Sequence, residues 1–289
     1  MTERPGGRLY VVATPIGNLG DASARSIEVL RSVPLIAAED TRLTTRLLAR
    51  NGLTTRMTSF HARSGARRAA DLLDHLRSGS DLALVTDAGT PGVSDPGEDL
   101  IAAWAAEGGT VVPLPGASAV LAAVAGSGLA GPRWSFEGFL PRSGRERRER
   151  LARMAADERG TIIYESPRRI AATLADLADA CGSDRPAAIC RELTKRNEEI
   201  VRGSLGELAE RARTGELTLR GEFTVVVGWS AGAARTSPIG AGIGGDSALA
   251  TAKARVEAAV AAGTPRGLAA RQVSAETGIP RRQLYGAPQ

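Results

Sequence analysis

A loop of twelve residues holds a dense set of groups that can bind a ligand. Residues 86–97 read TDAGTPGVSDPG and contain three glycines, two prolines and the carboxylates of Asp87 and Asp95. Glycine lets a backbone approach a ligand closely, and proline stiffens the loop. The amides of such a loop can bind a carboxylate, and the aspartates can accept hydrogen bonds from an ammonium group or a ribose hydroxyl. An elaborate turn with aspartate caps is the alternative, but the density of these residue types favours a ligand-binding loop.

Two further loops have the composition of a ligand-binding turn between a strand and a helix. Residues 14–21 read TPIGNLGD after an apolar segment, and residues 113–119 read PLPGASA before a helical segment. Amides at the start of a helix are free to bind a ligand, and ligands of open α/β sheets bind where the strands end. A plain glycine turn is the alternative interpretation of residues 14–21, and a hinge between domains is the alternative for residues 113–119. Neither contains the P-loop pattern or G-x-G-x-x-G, whose absence argues against a nicotinamide dehydrogenase.

Short apolar segments that alternate with amphipathic ones predict the elements that position these loops. In the first half we predict strands over residues 9–14, 34–38, 82–86 and 110–114, with helices over 21–32 (Asp21 as N-cap), 41–50, 67–78, 97–107 and 117–125. This alternation predicts a mostly parallel sheet covered by helices on both faces. In the second half we predict strands over 135–140, 161–164, 187–190, 200–203 and 222–229, with helices over 143–156, 167–181 and 205–213. The mixed order there favours a second α/β domain with some antiparallel pairing.

The predicted organisation is therefore an α/β fold of two domains, residues 8–115 and 116–230, with further segments behind them. Residues 231–245 are rich in Gly, Ala and Ser, which predicts a flexible linker. Residues 246–289 are predicted to form a small helical appendage. Its last part, residues 268–284, resembles a helix-turn-helix with a turn near 278–280, but a plain pair of helices is the simpler interpretation.

The composition is that of a globular protein with a basic surface. The chain has 289 residues, of which 43% are hydrophobic and 24% charged. Its net charge is +5, and Lys195 and Lys253 are its only lysines, so the basic residues are almost all arginines. Arginine forks onto phosphate, so a polyanion fits as a partner. Cys181 and Cys190 form neither a metal-binding spacing nor a disulfide framework. With no apolar run of membrane-spanning length and no signal-peptide core, we expect a cytoplasmic protein without a metal site.

Nine segments together resemble the tetrapyrrole-methylase superfamily of S-adenosylmethionine enzymes and, within it, the family of ribosomal RNA small subunit methyltransferases I. They occur in order between about residues 8 and 230. These segments are residues 9–21, 37–42, 87–97, 114–119, 136–141, 164–169, 191–195, 198–203 and 221–223. The first loop, in the form Pro15-Ile16-Gly17-Asn18, is similar to that of the RNA enzymes and unlike that of the porphyrin enzymes.

The resemblance implies a two-domain α/β protein with S-adenosylmethionine bound in the cleft between the domains, and a homodimer. It implies transfer of a methyl group to the 2′-hydroxyl of a cytidine in the decoding region of 16S ribosomal RNA, within the small ribosomal subunit. The residues expected to bind the cofactor come from the three loops: Pro15, Ile16, Gly17, Asn18, Asp87, Gly89, Pro91, Gly92, Val93, Ser94, Asp95, Gly116, Ala117 and Ser118.

A ribose hydroxyl is a weak nucleophile, so a general base would help the reaction. The candidates are Glu39, Asp40, Glu192 and Lys195. A lysine can serve as a base only if burial or neighbouring charge depresses its pKa, and a structural ion pair is the alternative for Lys195.

Arginines crowd the predicted helix 143–156 and the start of the helix after it. The candidates for RNA binding are Arg42, Arg142, Arg145, Arg148, Arg168 and Arg169. These side chains can follow a phosphate backbone, and a solvated helix face with ion pairs is the alternative. Aromatic residues make up only 3% of the chain, which favours recognition of shape, phosphates and 2′-hydroxyls over base stacking.

Two other functions fit parts of the sequence. A methylase of tetrapyrrole precursors on the same fold would need fewer arginines at the cleft and would bind a coloured macrocycle. A non-enzymatic RNA-binding or assembly protein would have no affinity for S-adenosylmethionine.

Overall fold

The computed structural model describes residues 6–230, 245–277, 279 and 281–284. The chain divides into two compact units, Met1–Ser230 and Ala231–Gln289. The predicted linker lies outside the described residues except for its last residue, Gly245, which begins a helix.

Five parallel strands form the first sheet, in the order β3-β2-β4-β1-β5. The strands are β1 (Arg8–Val12), β2 (Leu35–Ala38), β3 (Met57–Ser59), β4 (Leu82–Val85) and β5 (Thr110–Leu114). Between them lie α1 (Ala24–Ser32), α2 (Thr41–Arg50), α3 (Ala66–Arg77) and α4 (Glu98–Ala106), with a short 3₁₀ helix (Leu19–Asp21) before α1. Because the strands are parallel, their carboxyl ends lie at one edge of the sheet, and the three predicted ligand loops follow β1, β4 and β5 at that edge.

The two faces of this sheet bury separate apolar layers. Val12 lies in a cluster with Leu47 of α2, whereas Leu9 lies in a second cluster with Leu76 of α3 and Trp104 of α4. Side chains of a strand alternate between its faces, so α1 and α2 cover one face and α3 and α4 the other. This confirms the predicted parallel sheet covered on both faces.

The second sheet mixes parallel and antiparallel strands, as predicted. Its order is β6-β7-β10-β8-β9, in which only the β6–β7 pair is parallel. The strands are β6 (Trp134–Phe139), β7 (Gly160–Glu165), β8 (Pro186–Arg191), β9 (Glu199–Ser204) and β10 (Phe223–Val227). The helices are α5 (Ala119–Ser127), α6 (Gly144–Ala156), α7 (Ile170–Cys181) and α8 (Leu205–Thr214). Apolar side chains of α6, α7 and α8 pack on one face, and those of α5 pack on the other.

Local hydrogen bonding moves some boundaries from the predicted positions. Ser23, not Asp21, is the N-cap of α1, because its hydroxyl accepts from the amide of Ser26 at 3.1 Å. Asp21 instead ends the 3₁₀ helix. Strand β3 was absent from the prediction, since its three residues lack an apolar alternation and it pairs only with β2, at the edge of the sheet.

The second unit is helical. It contains α9 (Gly245–Ala261), α10 (Arg266–Thr277) and α11 (Arg281–Leu284), and Val256, Ala269 and Leu284 share its small apolar core. Two residues of the predicted helix-turn-helix turn, 278 and 280, lie outside the described residues. None of the helices in the described ranges is both long and apolar enough to cross a membrane.

Candidate functional site

The three predicted ligand loops converge at the carboxyl edge of the first sheet. In chain order they are the first loop (residues 14–21), the second loop (residues 86–97) and the third loop (residues 113–119). Thr14 and Gly89 exchange backbone hydrogen bonds of 2.8 and 3.0 Å, which ties the first loop to the second. The first and third loops approach so closely that a Cβ on Gly116 would lie 2.8 Å from the Cβ of Ala13. A Cβ on Gly89 would lie 3.9 Å from the carbonyl oxygen of Ala117. The spacing of the glycines therefore corresponds to close backbone packing among the loops.

The second sheet lies across from these loops. Ile16 of the first loop is buried in the same cluster as Val120 of α5 and Leu193, which follows β8. A Cβ on Gly17 would lie 2.3 Å from Cγ of Lys195. The first loop is thus in direct contact with the segment between β8 and β9.

The loop after β4 also meets the second sheet. A Cβ on Gly138 of β6 would lie 2.9 Å from the hydroxyl oxygen of Ser94. Ser94 has a positive φ of 63°, a conformation that residues other than glycine seldom adopt. The loop after β4 is thus in close contact with β6 of the second sheet.

Glu39 and Asp87 lock the ends of β2 and β4 together. The amide of Asp40 donates to Oδ1 of Asp87 at 2.9 Å, and the amide of Asp87 donates to Oε2 of Glu39 at 3.2 Å. Desolvation raises the pKa of both carboxyls above the ordinary value. Each carboxylate therefore holds the backbone of the other strand end.

Asp95 is the third carboxyl of this cluster, and its pKa is strongly raised. Burial raises its pKa to about 7, and the nearby carboxylates of Glu39 and Asp87 add to this effect. The buried hydroxyl of Thr86 lies beside Asp95 and opposes this rise by hydrogen bonding to the carboxyl, and it has no other partner in the described part of the chain. Tyr164 of β7 also faces Asp95; burial, and secondarily Asp95, raises its pKa to about 12. Sequence reasoning singled out neither Thr86 nor Tyr164 as part of a site.

Asp40, a candidate base, is occupied by a local ion pair. It caps α2 by accepting from the amide of Arg42 at 2.8 Å, and its carboxylate pairs with the Arg42 guanidinium at 2.6 Å. Hydrogen bonds from Arg42 lower the pKa of Asp40 to about 2. A carboxylate that is so weakly basic is a poor acceptor for a hydroxyl proton.

Lys195 is held as a cation between two carboxylates. Its Nζ lies 2.9 Å from Oε1 of Glu192 and 2.9 Å from Oε2 of Glu222. Although burial opposes the shift, these hydrogen bonds raise the pKa of Lys195, and the lysine in turn lowers the pKa of Glu192. The pKa of Lys195 is therefore not depressed, as a lysine base would require. The alternative, a structural ion pair, is what the structure shows. Glu192 and Thr194 have positive φ of 50° and 66°, so the segment that carries this cluster is strained.

The remaining polar side chains predicted to bind the cofactor cap local helices. The side chain of Asn18 accepts from the amide of Gly20 at 3.0 Å, and the hydroxyl of Ser118 accepts from the amide of Leu121 at 3.4 Å. Their side-chain oxygens are therefore engaged within the protein, which leaves the backbone of both loops as the surface for a ligand.

The candidate arginines fall into distinct groups. Arg142, Arg148 and Arg168 are exposed, and in the described part of the chain they have no ion-pair partner. Arg42 pairs with Asp40, and Arg145 pairs with Glu149, with side chains that are still 87% exposed in both cases.

Arg169 turns inward instead. Its guanidinium donates to the carbonyl of Leu140 at 2.6 Å and lies 3.2 Å from the buried carboxylate of Glu165. Its role in the fold is to tie the end of β6 to the end of β7, which corrects its assignment to the RNA surface. Arg147, on the helix between Arg145 and Arg148, is buried against Asp176 and Thr173.

The comparisons with known proteins agree with this architecture. The family model described as tetrapyrrole (corrin/porphyrin) methylases matches residues 8–209. A protein of Synechocystis named ribosomal RNA small subunit methyltransferase I is 43% identical over 96% of this chain and 96% of its own length. A protein of the same name from Mycobacterium tuberculosis is 44% identical over 97% of this chain and 94% of its own.

The fold resembles that of a solved structure at low sequence identity. Uroporphyrin-III C-methyl transferase from Thermus thermophilus, solved in complex with S-adenyl homocysteine, superposes with a TM-score of 0.55. It is 18% identical, and the match covers 76% of this chain and 97% of that one. In the ranges that the structure describes, no group of three or more His, Cys, Asp or Glu side chains is arranged to hold a metal ion.

Proposed function

This chain belongs to the tetrapyrrole methylase family and, within it, to the ribosomal RNA small subunit methyltransferases I, and from that premise we propose its reaction. We propose that it transfers the methyl group of S-adenosylmethionine to the 2′-hydroxyl of a cytidine in the decoding region of 16S ribosomal RNA. The observation that carries this proposal is that three glycine-rich loops meet one another and the second sheet at the strand ends of the first sheet.

The proposed cleft between the two sheets offers S-adenosylmethionine groups of suitable chemistry. Gly89 and Gly116 allow the loops to approach each other closely, and Gly17 allows Lys195 to lie against the first loop. Backbone groups of these loops that are not used in the fold are proposed to bind the cofactor. In the described part of the chain the buried hydroxyl of Thr86 has no partner other than Asp95, so a ligand can complete its hydrogen bonding. When bound, S-adenosylmethionine supplies the activated methyl group. The fourteen loop residues named from the sequence remain the proposed cofactor residues.

The protein contributes orientation and electrostatics to this transfer. The lock between Glu39 and Asp87 fixes the ends of β2 and β4, and the Lys195 ion pairs fix the segment facing the first loop. The proposed roles of Glu192 and Lys195 are thus to position the cleft wall, not to accept a proton.

The rim of the cleft suits a large polyanionic partner. Arg142 follows β6, Arg148 lies on α6 and Arg168 follows β7; all three are exposed and have no ion-pair partner in the described part of the chain, so they can contact phosphates. Arg42 and Arg145 lie exposed in salt bridges that a phosphate can replace. We assign the RNA surface to these five arginines.

Exposed apolar side chains also collect on segments that follow strand ends. Of the six large apolar residues exposed in the described ranges, all but Leu268 lie there: Leu19, Leu43, Val93, Leu121 and Phe139. Such residues are typical of a surface that a partner covers. They support the proposed homodimer and the docking of an assembled small ribosomal subunit, the substrate we expect in the bacterial cytoplasm.

The test uses the purified chain, labelled S-adenosylmethionine and small ribosomal subunits from a strain that lacks the enzyme. A methylated 2′-oxygen cannot attack the adjacent phosphate, so alkaline hydrolysis should leave the label in a resistant dinucleotide. Label in a base-methylated mononucleotide would still indicate an RNA methyltransferase, but it would refute the 2′-hydroxyl as the target. Tight cofactor binding without any labelled RNA would favour a methylase of tetrapyrrole precursors, and no cofactor binding at all would favour a non-enzymatic RNA-binding protein.

A further inference from the structure

Another loop of the first sheet, residues 60–65 between β3 and α3, borders a pocket. The pocket has a volume of about 520 Å³ and is lined by Ser59, the last residue of β3, by this loop and by the first turns of α3. Because β3 is parallel to its neighbours, the pocket lies at the edge of the sheet where the three ligand loops converge. Two strand spacings, or about 10 Å, separate β3 from β4 and the second loop.

The charged side chains of this pocket are mostly positive. Arg67 and Arg68 lie in the first turn of α3 and are exposed, and Arg67 has no ion-pair partner in the described residues. Among the described residues that line the pocket, Asp71 is the single acidic one, and it lies 3.8 Å from Arg68, too far for a hydrogen bond. Both side chains of this pair are about half exposed. Such a pair contributes little to stability, so a stronger anion can take the place of Asp71.

Hydrogen bonds fix the loop in a shape that leaves further donors at the pocket. The amide of Ser64 donates to the carbonyl of His61 at 2.7 Å, and the amide of His61 donates to the hydroxyl of Ser64 at 2.9 Å. Nδ1 of His61 accepts from the amide of Arg63 at 3.2 Å, which assigns the proton of a neutral ring to Nε2. Nε2 of His61 and the hydroxyl of Ser64 can therefore both donate to a ligand, and the loop is formed before that ligand binds.

The position of the two arginines is unfavourable for the helix itself. The N-terminus of a helix carries a partial positive charge, so cations in the first turn are repelled by it. Gly65 is the N-cap and no side chain caps α3, while a Cβ at Gly65 would meet no atom within 4 Å. An anion in this space would neutralise Arg67 and Arg68 and accept hydrogen bonds from the first amides of the helix. The pocket therefore suits an anion and is unsuited to a cation.

His61 connects this pocket to the proposed cofactor cleft. Burial raises the pKa of Glu39, and the nearby His61 opposes that rise, so the two side chains are close to each other. Glu39 in turn accepts from the amide of Asp87, in the second loop, at 3.2 Å. An anion bound beside His61 would thus lie next to the proposed cleft, where a nucleotide that flanks the reacting one can reach.

We propose that this pocket binds a backbone phosphate of the RNA substrate beside the methylated nucleotide, an inference that rests on the proposed function. Arg67 and Arg68 pair with the phosphate, and Ser64 and His61 donate hydrogen bonds to its oxygens. A phosphate contact sets the position of the strand without reading its sequence. With the arginines assigned above on the segments of the second sheet, the RNA is held from both sheets.

The test measures filter binding of small ribosomal subunits, taken from a strain that lacks the enzyme, over a series of salt concentrations. The double variant Arg67→Gln/Arg68→Gln should bind them about 10–100-fold more weakly and with a salt dependence smaller by about one unit of slope. Its KM for subunits should rise while kcat stays near that of the wild type. Calorimetry should show unchanged affinity for S-adenosylmethionine, and denaturation should show no loss of stability, because these arginines oppose the helix dipole.

A matched double variant controls for the loss of two positive charges. Arg31 and Arg50 are exposed at the ends of α1 and α2, at the opposite edge of the sheet, and have no ion-pair partner in the described residues. Arg31→Gln/Arg50→Gln should bind subunits as the wild type does. An equal loss of binding in this control would overturn the proposal, since net charge and not the pocket would then govern binding.

Three other results would also overturn the proposal. One is wild-type affinity and salt slope in the Arg67→Gln/Arg68→Gln variant, and another is a lower kcat at unchanged subunit affinity. The third is tight binding of inorganic phosphate to the wild type, lost in the variant while subunit binding is kept, which would assign the pocket to a free anion. Failure of the wild type to methylate subunits that it binds would instead refute the proposed function, and the binding comparison would still decide the role of the pocket.

Discussion

Gly17 and Lys195 provide a sharp test of how the first loop meets the second sheet. In Gly17→Ala the new Cβ would lie 2.3 Å from Cγ and 3.0 Å from Cε of Lys195. The lysine cannot simply swing away, because its Nζ is held by Glu192 and Glu222. Overpacking of this kind costs about 1–3 kcal/mol in the free energy of unfolding.

A double-mutant cycle isolates this contact. Lys195→Ala removes both the ion pairs and the atoms that the new methyl group would meet, at a cost of about 1–2 kcal/mol. The double variant should then be about as stable as Lys195→Ala alone, which gives a coupling energy of about 1–3 kcal/mol. Gly65→Ala is the matched control, because a Cβ at Gly65 meets no atom within 4 Å.

Urea denaturation of the wild type and the four variants gives the free energies, and calorimetry gives the affinity for S-adenosylmethionine. Gly17→Ala should weaken cofactor binding as well as stability, because the displaced loop forms part of the proposed cofactor site. Additive free energies, or a Gly17→Ala variant as stable as the control, would refute the close contact between the first loop and Lys195.

Three further predictions follow from burial and charge. Arg147→Met should lower the free energy of unfolding by about 2–4 kcal/mol, because it leaves the polar groups that surround a buried guanidinium unpaired. The control Arg148→Met, on the exposed face of the same helix, should change this free energy by less than about 0.5 kcal/mol. Equal free energies of unfolding for the two variants would contradict the burial of Arg147. Asp95→Asn should gain stability relative to the wild type as the pH rises. The pKa of Asp95 in the folded protein is about 7, against 3.8 for an unperturbed aspartate, so the wild type loses stability as the pH rises between those values. Allowing for the half-exposed carboxyl, the variant should be more stable than the wild type by about 1–3 kcal/mol at pH 8. A stability difference that does not change with pH would be inconsistent with a raised pKa. Arg168→Gln should weaken RNA binding for all sequences and reduce the salt dependence by about one unit of slope, whereas an unchanged slope in filter binding would remove Arg168 from the RNA surface.

The sequence predicts the periodic parts of this fold well, because strand and helix patterns are local. Helix α2 and strand β5 begin and end at the predicted residues. Strand β3 was not predicted, because its three residues carry no apolar pattern and only the pairing with β2 identifies them as a strand. The start of α1 was misplaced because two polar residues can cap it, and the choice of Ser23 depends on the backbone turn before it.

The loops predicted to form the site do meet in the fold, but the sequence does not reveal what individual side chains do. Arg147 and Arg148 are adjacent and identical, yet only the first points into the core. Whether Lys195 is a base or an ion pair depends on Glu222, which is distant in sequence and adjacent only after folding. The raised pKa of Asp95 likewise depends in part on Glu39, which is distant in sequence and near Asp95 only after folding.

The most direct test of the proposed reaction is the 16S ribosomal RNA of a bacterium from which the gene for this chain has been deleted. Mass spectrometry of its nucleosides and oligonucleotides should show one 2′-O-methylated cytidine ribose missing from the decoding region. The wild-type chain should restore it. Loss of a methyl group from a base, or 16S RNA whose methylation is unchanged by the deletion, would contradict the account.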